Sequence, residues 1–199
     1  MKRLIQALAL SLALTTSAFA VDRNAPAPEF TVKASSGKVV RLSDYIGKTV
    51  VLEWFNYGCP FVQKHYKSQN MQGLQKEYTG KGVIWLSVLS SAEGKQGYAN
   101  AAQAEADRKQ NGSNATAVLL DADGKIGKLY GAETTPHLFV VNPKGRVAYQ
   151  GAIDDKPSAD VEDIKGARSY IREAIDATLA GKDVKEYQTK SYGCSVKYK

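Results

Sequence analysis

The chain has 199 residues, 43% of them hydrophobic and 24% charged, a composition that excludes disordered and fibrous classes and suffices for one buried core. Its formal charge of +7 is spread along the sequence, and without a basic cluster there is no nucleic-acid partner to argue for. At the N-terminus, Lys2 and Arg3 precede an apolar run, "LIQALALSLAL" (4–14), shorter than the roughly 20 residues that cross a bilayer. "SAFA" follows, with small residues at Ala18 and Ala20. The three regions in this order predict a secretory signal peptide over 1–20, cleaved after Ala20. The expected product is periplasmic or secreted: one domain over 21–199, with 182–199 as a C-terminal tail.

"DRNAPAPEF" (22–30) is a proline-rich, extended lead-in. A Ser-Ser-Gly-Lys turn then separates two short strand-like runs. "TVVLEWF" (49–55) is β-branched and aromatic and predicts a buried central strand. A helix should start at Pro60, where a missing N–H costs nothing, and run to about Tyr78. The lysines of "VQKHYKSQ" and His65 read as its solvated face. "GVIWLSVLS" (82–90) and "TAVLLD" (116–121) are two more buried strands, separated by an Ala-rich helix that ends at Asn111-Gly112. "DADGK" (121–125) resembles the start of a calcium loop but lacks the later ligands, and predicts a turn before a short helix. "HLFVVN" and "RVAYQG" flank Pro-Lys-Gly as a hairpin. The run 161–182 shows helical spacing and ends near Gly181. This order predicts an α/β fold, with early strands parallel and the hairpin antiparallel.

The chemistry concentrates at Cys59. It follows a buried strand and precedes Pro60, which places it at a helix N-cap. There, unpaired N–H groups and the positive end of the helix dipole stabilise a thiolate. Gly58 removes side-chain bulk and should leave the sulfur approachable. The only other cysteine is Cys194. In an exported protein the two permit one internal disulfide. Two cysteines with His65 and His137 show no metal-ligand spacing, so no metal or other cofactor is expected.

The pieces "APAPEFTV", "GKVVRLSDYIGKTVVLEWF", "GCPFV", "LDADGKIGKLYGAETTPHLFVVNPKGRVAYQGAIDD" and "YGCSVKY" resemble, in order, the thioredoxin-fold redoxins of the alkyl hydroperoxide reductase/thiol-specific antioxidant family. They are most similar to a peroxiredoxin-like branch with a GCP(F/Y)V active site and a C-terminal GCSxK motif. The resemblance implies a thioredoxin-like fold, a mixed central sheet with helices on both faces, and a reactive Cys59. Thioredoxins carry C-x-x-C, but Val62 stands where the second thiol would be. Peroxiredoxins carry P-x-x-x-T/S-x-x-C, and those places hold Leu52 and Asn56. By position, Glu53 matches a buried acid that moves protons during exchange; a surface glutamate is the alternative. Pro136 matches the cis-proline facing the active cysteine, and Thr135 beside it would offer main-chain hydrogen bonds to a bound strand. His137 is either an influence on the thiolate or a satisfied strand residue.

Three functions follow. One is an exported thiol–disulfide oxidoreductase. The second is a thiol peroxidase passing through a sulfenic acid. The third is a non-catalytic module stapled by Cys59–Cys194. The first is favoured, because the peroxidase residues are missing. Its partners would be a protein with a thiol or disulfide, or a peroxide, and an exported or membrane-bound thiol reductant. Cys194 is the expected resolving thiol, carried on a tail that Gly193 makes flexible and that Tyr192 and Val196 anchor.

Overall fold

The computed structural model describes residues 23–199; the signal-peptide reading therefore lies outside the described residues. Five strands make the central sheet in the order β5-β4-β3-β7-β8. They are β3 (Val50–Trp54), β4 (Ile84–Leu89), β5 (Ala117–Leu120), β7 (His137–Val141) and β8 (Val147–Gly151). β3, β4 and β5 pair in parallel, and β7 runs antiparallel to both β3 and β8. A hairpin of β1 (Thr31–Lys33) and β2 (Val39–Arg41) precedes the sheet. This is the expected thioredoxin-like α/β fold.

Period-two alternation along the strands splits the interior into two cores. Val51 of β3 and Phe55 just after it, with Leu138 and Val140 of β7, face α1 (Pro60–Lys67), α2 (Asn70–Gly80) and α5 (Tyr170–Leu179). Val50, Leu52 and Trp54 face the other way, with Phe139, toward the β1–β2 hairpin and α4 (Lys125–Tyr130). α3 (Ala101–Gln110) starts at an Asn100 cap whose side chain accepts the Gln103 N–H at 3.0 Å.

Three sequence expectations are corrected. The helix from Pro60 does not reach Tyr78 unbroken: it stops at Lys67, Gln69 takes φ 63°, and α2 restarts at Asn70. Ser68 makes the break by donating its hydroxyl to the His65 carbonyl and accepting the Asn70 N–H. The last helix is shorter than 161–182, because Ser169 caps a new start by accepting the Arg172 N–H, and 162–166 is a separate 3-10 turn. The tail is docked and carries a strand of its own, β9 (Cys194–Ser195), antiparallel to β6 (Thr134–Thr135).

Candidate active site

Cys59 is the N-cap of α1, with extended backbone angles and Pro60 as the first helical residue. Its own N–H is tied to the Asn56 carbonyl at 2.9 Å. Asn56 braces this turn with both ends of its side-chain amide. The oxygen accepts Gly58 N–H at 2.8 Å and the nitrogen donates to Gln96 Oε1 at 2.9 Å. Gly58 leaves room for that brace: a Cβ there would meet Gln96 Nε2 at 2.4 Å, and the exposed Gln96 side chain would have to swing away. Neither peroxidase position offers a donor to a peroxide, since Leu52 lies in the apolar core on the opposite face of β3 and Asn56 is engaged in the turn.

The peptide bond between Thr135 and Pro136 is cis. The Thr135 carbonyl accepts the Cys59 thiol at 3.1 Å. Thr135 is also the residue registered opposite Cys194 in the β6–β9 pair. One short strand therefore meets both cysteines, and each thiol shifts the acidity of the other. Both are free thiols. Cys59 is not approachable as expected from Gly58: it is 0% exposed, because the tail covers the face that Gly58 was read as opening. Ala92 N–H to Lys197 O, Val196 N–H to Glu133 O, and Tyr198 Oη to Ala132 O, at 2.7–2.9 Å, pin the tail beyond β9.

Gly193 is not a flexible joint. Its φ of 127° suits glycine, and a Cβ would sit 2.1 Å from the Thr135 carbonyl oxygen. The residue lets β9 lie flat on β6.

Burial pushes the Cys59 pKa up. Hydrogen bonds from the Cys194 thiol, the Val62 and Cys194 backbone and the Thr135 side chain outweigh that and bring it below the ordinary thiol value. For Cys194, burial and the adjacent Cys59 raise the pKa to about 11. The pair is thus one acidic and one basic thiol. Alkylation of Cys59 against pH is expected to inflect below the usual thiol value of about 8.5. Cys194→Ala should move that inflection upward. An unmoved inflection would show that Cys194 does not stabilise the thiolate.

Glu53 is fully buried on the α2 side of β3 and is not a surface glutamate. It accepts hydrogen bonds from Tyr66 Oη (3.1 Å), Gln75 Nε2 (3.1 Å), Trp85 Nε1 (2.7 Å) and Ser87 Oγ (2.9 Å). Burial raises its pKa, partly offset by these four donors. His137 stacks on Phe139 with centroids 4.7 Å apart and accepts the Glu133 N–H; burial lowers its pKa to about 4. It is a satisfied strand residue. Asp121, read as a turn residue, accepts the Ile126 and Gly127 N–H groups at the start of α4.

The sequence reading missed one cluster. Lys64 and His65 are not a solvated face: both are buried, as is Asp154 from the loop after β8. His65 Nε2 lies 3.3 Å from the hydroxyl of Tyr192, two positions before Cys194. Burial and neighbouring Lys64 lower its pKa to about 3. Partners from so far along the chain leave no local signal.

The model of the AhpC/TSA family matches residues 24–150. Thiol-disulfide oxidoreductase ResA of Bacillus subtilis (strain 168) is 28% identical over 134 residues, which cover 64% of this chain and 65% of the relative. The chain thus spans just under two thirds of that curated relative's length. An uncharacterized conserved protein of Geobacillus kaustophilus superposes with a TM-score of 0.76 at 26% identity, covering 89% of this chain and 93% of that one. A hypothetical protein of Sinorhizobium meliloti 1021 has the same fold, with a TM-score of 0.75 at 24% identity over 90% and 96% of the two chains.

Proposed function

We propose that this chain, which belongs to the AhpC/TSA family, is a thiol–disulfide oxidoreductase in which Cys59 attacks and Cys194 resolves. The observation that carries the reading is the pair of free thiols brought together at Thr135 of β6, whose carbonyl accepts the Cys59 thiol and which is registered opposite Cys194. The similarity to a relative named a thiol-disulfide oxidoreductase supports it.

The Cys59 thiolate attacks one sulfur of a target disulfide, forms a mixed disulfide and expels the other target sulfur as thiolate. The Cys59 charge, which helps hold Cys194 in its thiol form, is thereby removed. Cys194 then loses its proton more readily, with Lys197 favouring the thiolate. It attacks the Cys59 sulfur, closing Cys59–Cys194 and releasing the second target thiol. The target gains two electrons and the protein loses them. A second thiol reductant, exported or membrane-bound, returns the pair to dithiol. We read the location as periplasmic or secreted from residues 1–20, and 21–199 as one domain.

Cis-Pro136, Thr135, Pro60 and Gly58 shape the site in this reading, Asn56 braces it, and Glu53 supports it from the core. The motifs "GCPFV" and "GCSVK" support reading the chain as a peroxiredoxin-like branch of the family, with disulfide exchange rather than peroxide reduction as its chemistry.

The test is a side-by-side assay with a protein disulfide and with hydrogen peroxide. Wild type should reduce the disulfide and end with Cys59 bonded to Cys194 on non-reducing peptide mapping. Cys59→Ser should abolish turnover, and Cys194→Ala should accumulate the mixed disulfide at Cys59. Turnover of peroxide alone would replace this reading with a peroxidase. No turnover of either, with the bridge intact, would leave a stapled binding module.

A further inference from the structure

Behind α1, four polar groups from three parts of the chain form a single directed relay. Lys64 (1% exposed) and His65 (0%) lie on α1, Asp154 (3%) follows β8, and Tyr192 belongs to the tail. Asn70 Nδ2 donates to His65 Nδ1 at 2.9 Å. That fixes the proton of the neutral imidazole on Nε2, which lies 3.3 Å from the Tyr192 hydroxyl oxygen. The tyrosine in turn donates to Asp154 Oδ1. Asp154 Oδ2 faces Lys64 Nζ at 3.5 Å, and the ammonium donates to the Lys156 carbonyl at 2.7 Å. Lys64 Nζ also lies 5.7 Å from the centre of the Tyr192 ring, whose edge packs on Phe61.

Buried charges are costly unless each is paired. Here the pairing is completed by the tail: without Tyr192, Asp154 Oδ1 keeps only the Lys156 N–H at 3.0 Å, and His65 Nε2 loses its hydrogen-bond partner and is left 3.9 Å from Asp154 Oδ2. Two of the socket residues sit on the helix that begins at Cys59, and the tyrosine sits two positions from Cys194.

We infer that Lys64, His65 and Asp154 form a hydroxyl-binding socket for Tyr192, and that this socket positions Cys194 against Cys59. The inference rests on the exchange reading above for its purpose, but not for its geometry. All four are positioning residues, with no contact to a reacting sulfur required. The socket also separates two functions of the tail. β9 can peel from β6 to admit a target strand while Tyr192 stays seated, so that Cys194 returns to the same place.

Tyr192→Phe keeps the ring and removes the link. In the reduced protein it is expected to raise the iodoacetamide alkylation rate of Cys59 at least tenfold and to speed amide exchange over 193–199 by a similar factor. Its equilibrium constant for closing Cys59–Cys194 against glutathione should fall about tenfold. The pH inflection of Cys59 should move up toward that of Cys194→Ala. A tyrosine that merely stabilised the fold would lower the melting temperature and leave all four readouts unchanged well below it. Asp154→Asn is the second variant, read in the same way should Tyr192→Phe not fold. Alkylation and amide exchange within twofold of wild type would overturn the socket. If those two rise while wild type forms no Cys59–Cys194 bond on oxidation, the socket stands and the exchange reading fails.

Discussion

Gly193→Ala is expected to lift β9 from β6 and expose Cys59. The φ of 127° would strain an alanine by about 1–3 kcal/mol. The added carbon would also lie 2.1 Å from the Thr135 carbonyl oxygen and 2.9 Å from its carbon. That carbonyl cannot retreat easily, because it accepts the Cys59 thiol. The tail is the freer partner and should move. Cys59 alkylation should accelerate by tenfold or more, and the yield of the internal disulfide at a fixed glutathione ratio should fall by the same order. The sheet keeps its pairing, so circular dichroism should be unchanged. An alanine variant whose Cys59 stays as protected as in wild type would show that β9 tolerates a side chain, and that the glycine has another purpose.

The second large effect is on stability. Glu53→Ala would leave the buried donors of Tyr66, Trp85 and Ser87 without their acceptor, and Gln75 Nε2 with only the Tyr66 hydroxyl. At about 1–3 kcal/mol for each orphaned group, a loss of about 4 kcal/mol or more is expected, a large part of the 5–15 kcal/mol that holds a typical domain. Glu53→Gln should be far milder. Its oxygen can take the position that accepts three of the donors, and the Tyr66 hydroxyl still accepts Gln75 Nε2 at 3.2 Å. The glutamine also isolates a pH effect. The Glu53 carboxyl has a folded pKa above its unfolded value near 4.5, so the folded state binds the extra proton between the two. Its contribution is fullest below about 4.5 and declines as pH rises through that window toward the folded value. Urea melts from pH 4 to 8 should show wild type losing stability relative to Glu53→Gln as pH rises. A constant difference would mean that the four donors cancel the desolvation.

Much of this site was legible in the sequence because its signals are local. A β-branched run followed by Gly-Cys-Pro dictates a buried strand, a turn and a helix start, and Cys59 sits where those rules place it. The hairpin around Pro143-Lys144-Gly145 is read the same way. What stayed hidden depends on partners far along the chain. Lys64 and His65 carry the polarity of a solvated face, and only Asp154 and Tyr192, about 90 and 127 positions away, turn that face inward. The break at Gln69 has no proline or glycine to announce it, because a serine hydroxyl supplies the alternative hydrogen bonds. Gly193 was read for flexibility, whereas its lack of a side chain serves a close approach that no spacing rule reveals.

The two thiols lie 135 positions apart (194 minus 59), yet the fold sets them side by side. This couples two measurements usually made separately. Whatever free energy a Cys59–Cys194 bond adds to folding, folding must add equally to the bond, since both are legs of one thermodynamic cycle. In the chain-entropy view, closing a loop of that size is worth about 5 kcal/mol, or roughly 100 mV for a two-electron couple. Each target molecule reduced would then leave behind a protein harder to melt than the one that reacted, and denaturant would act on the pair as a reductant does, favouring the dithiol as its potential rises and the sheet comes apart.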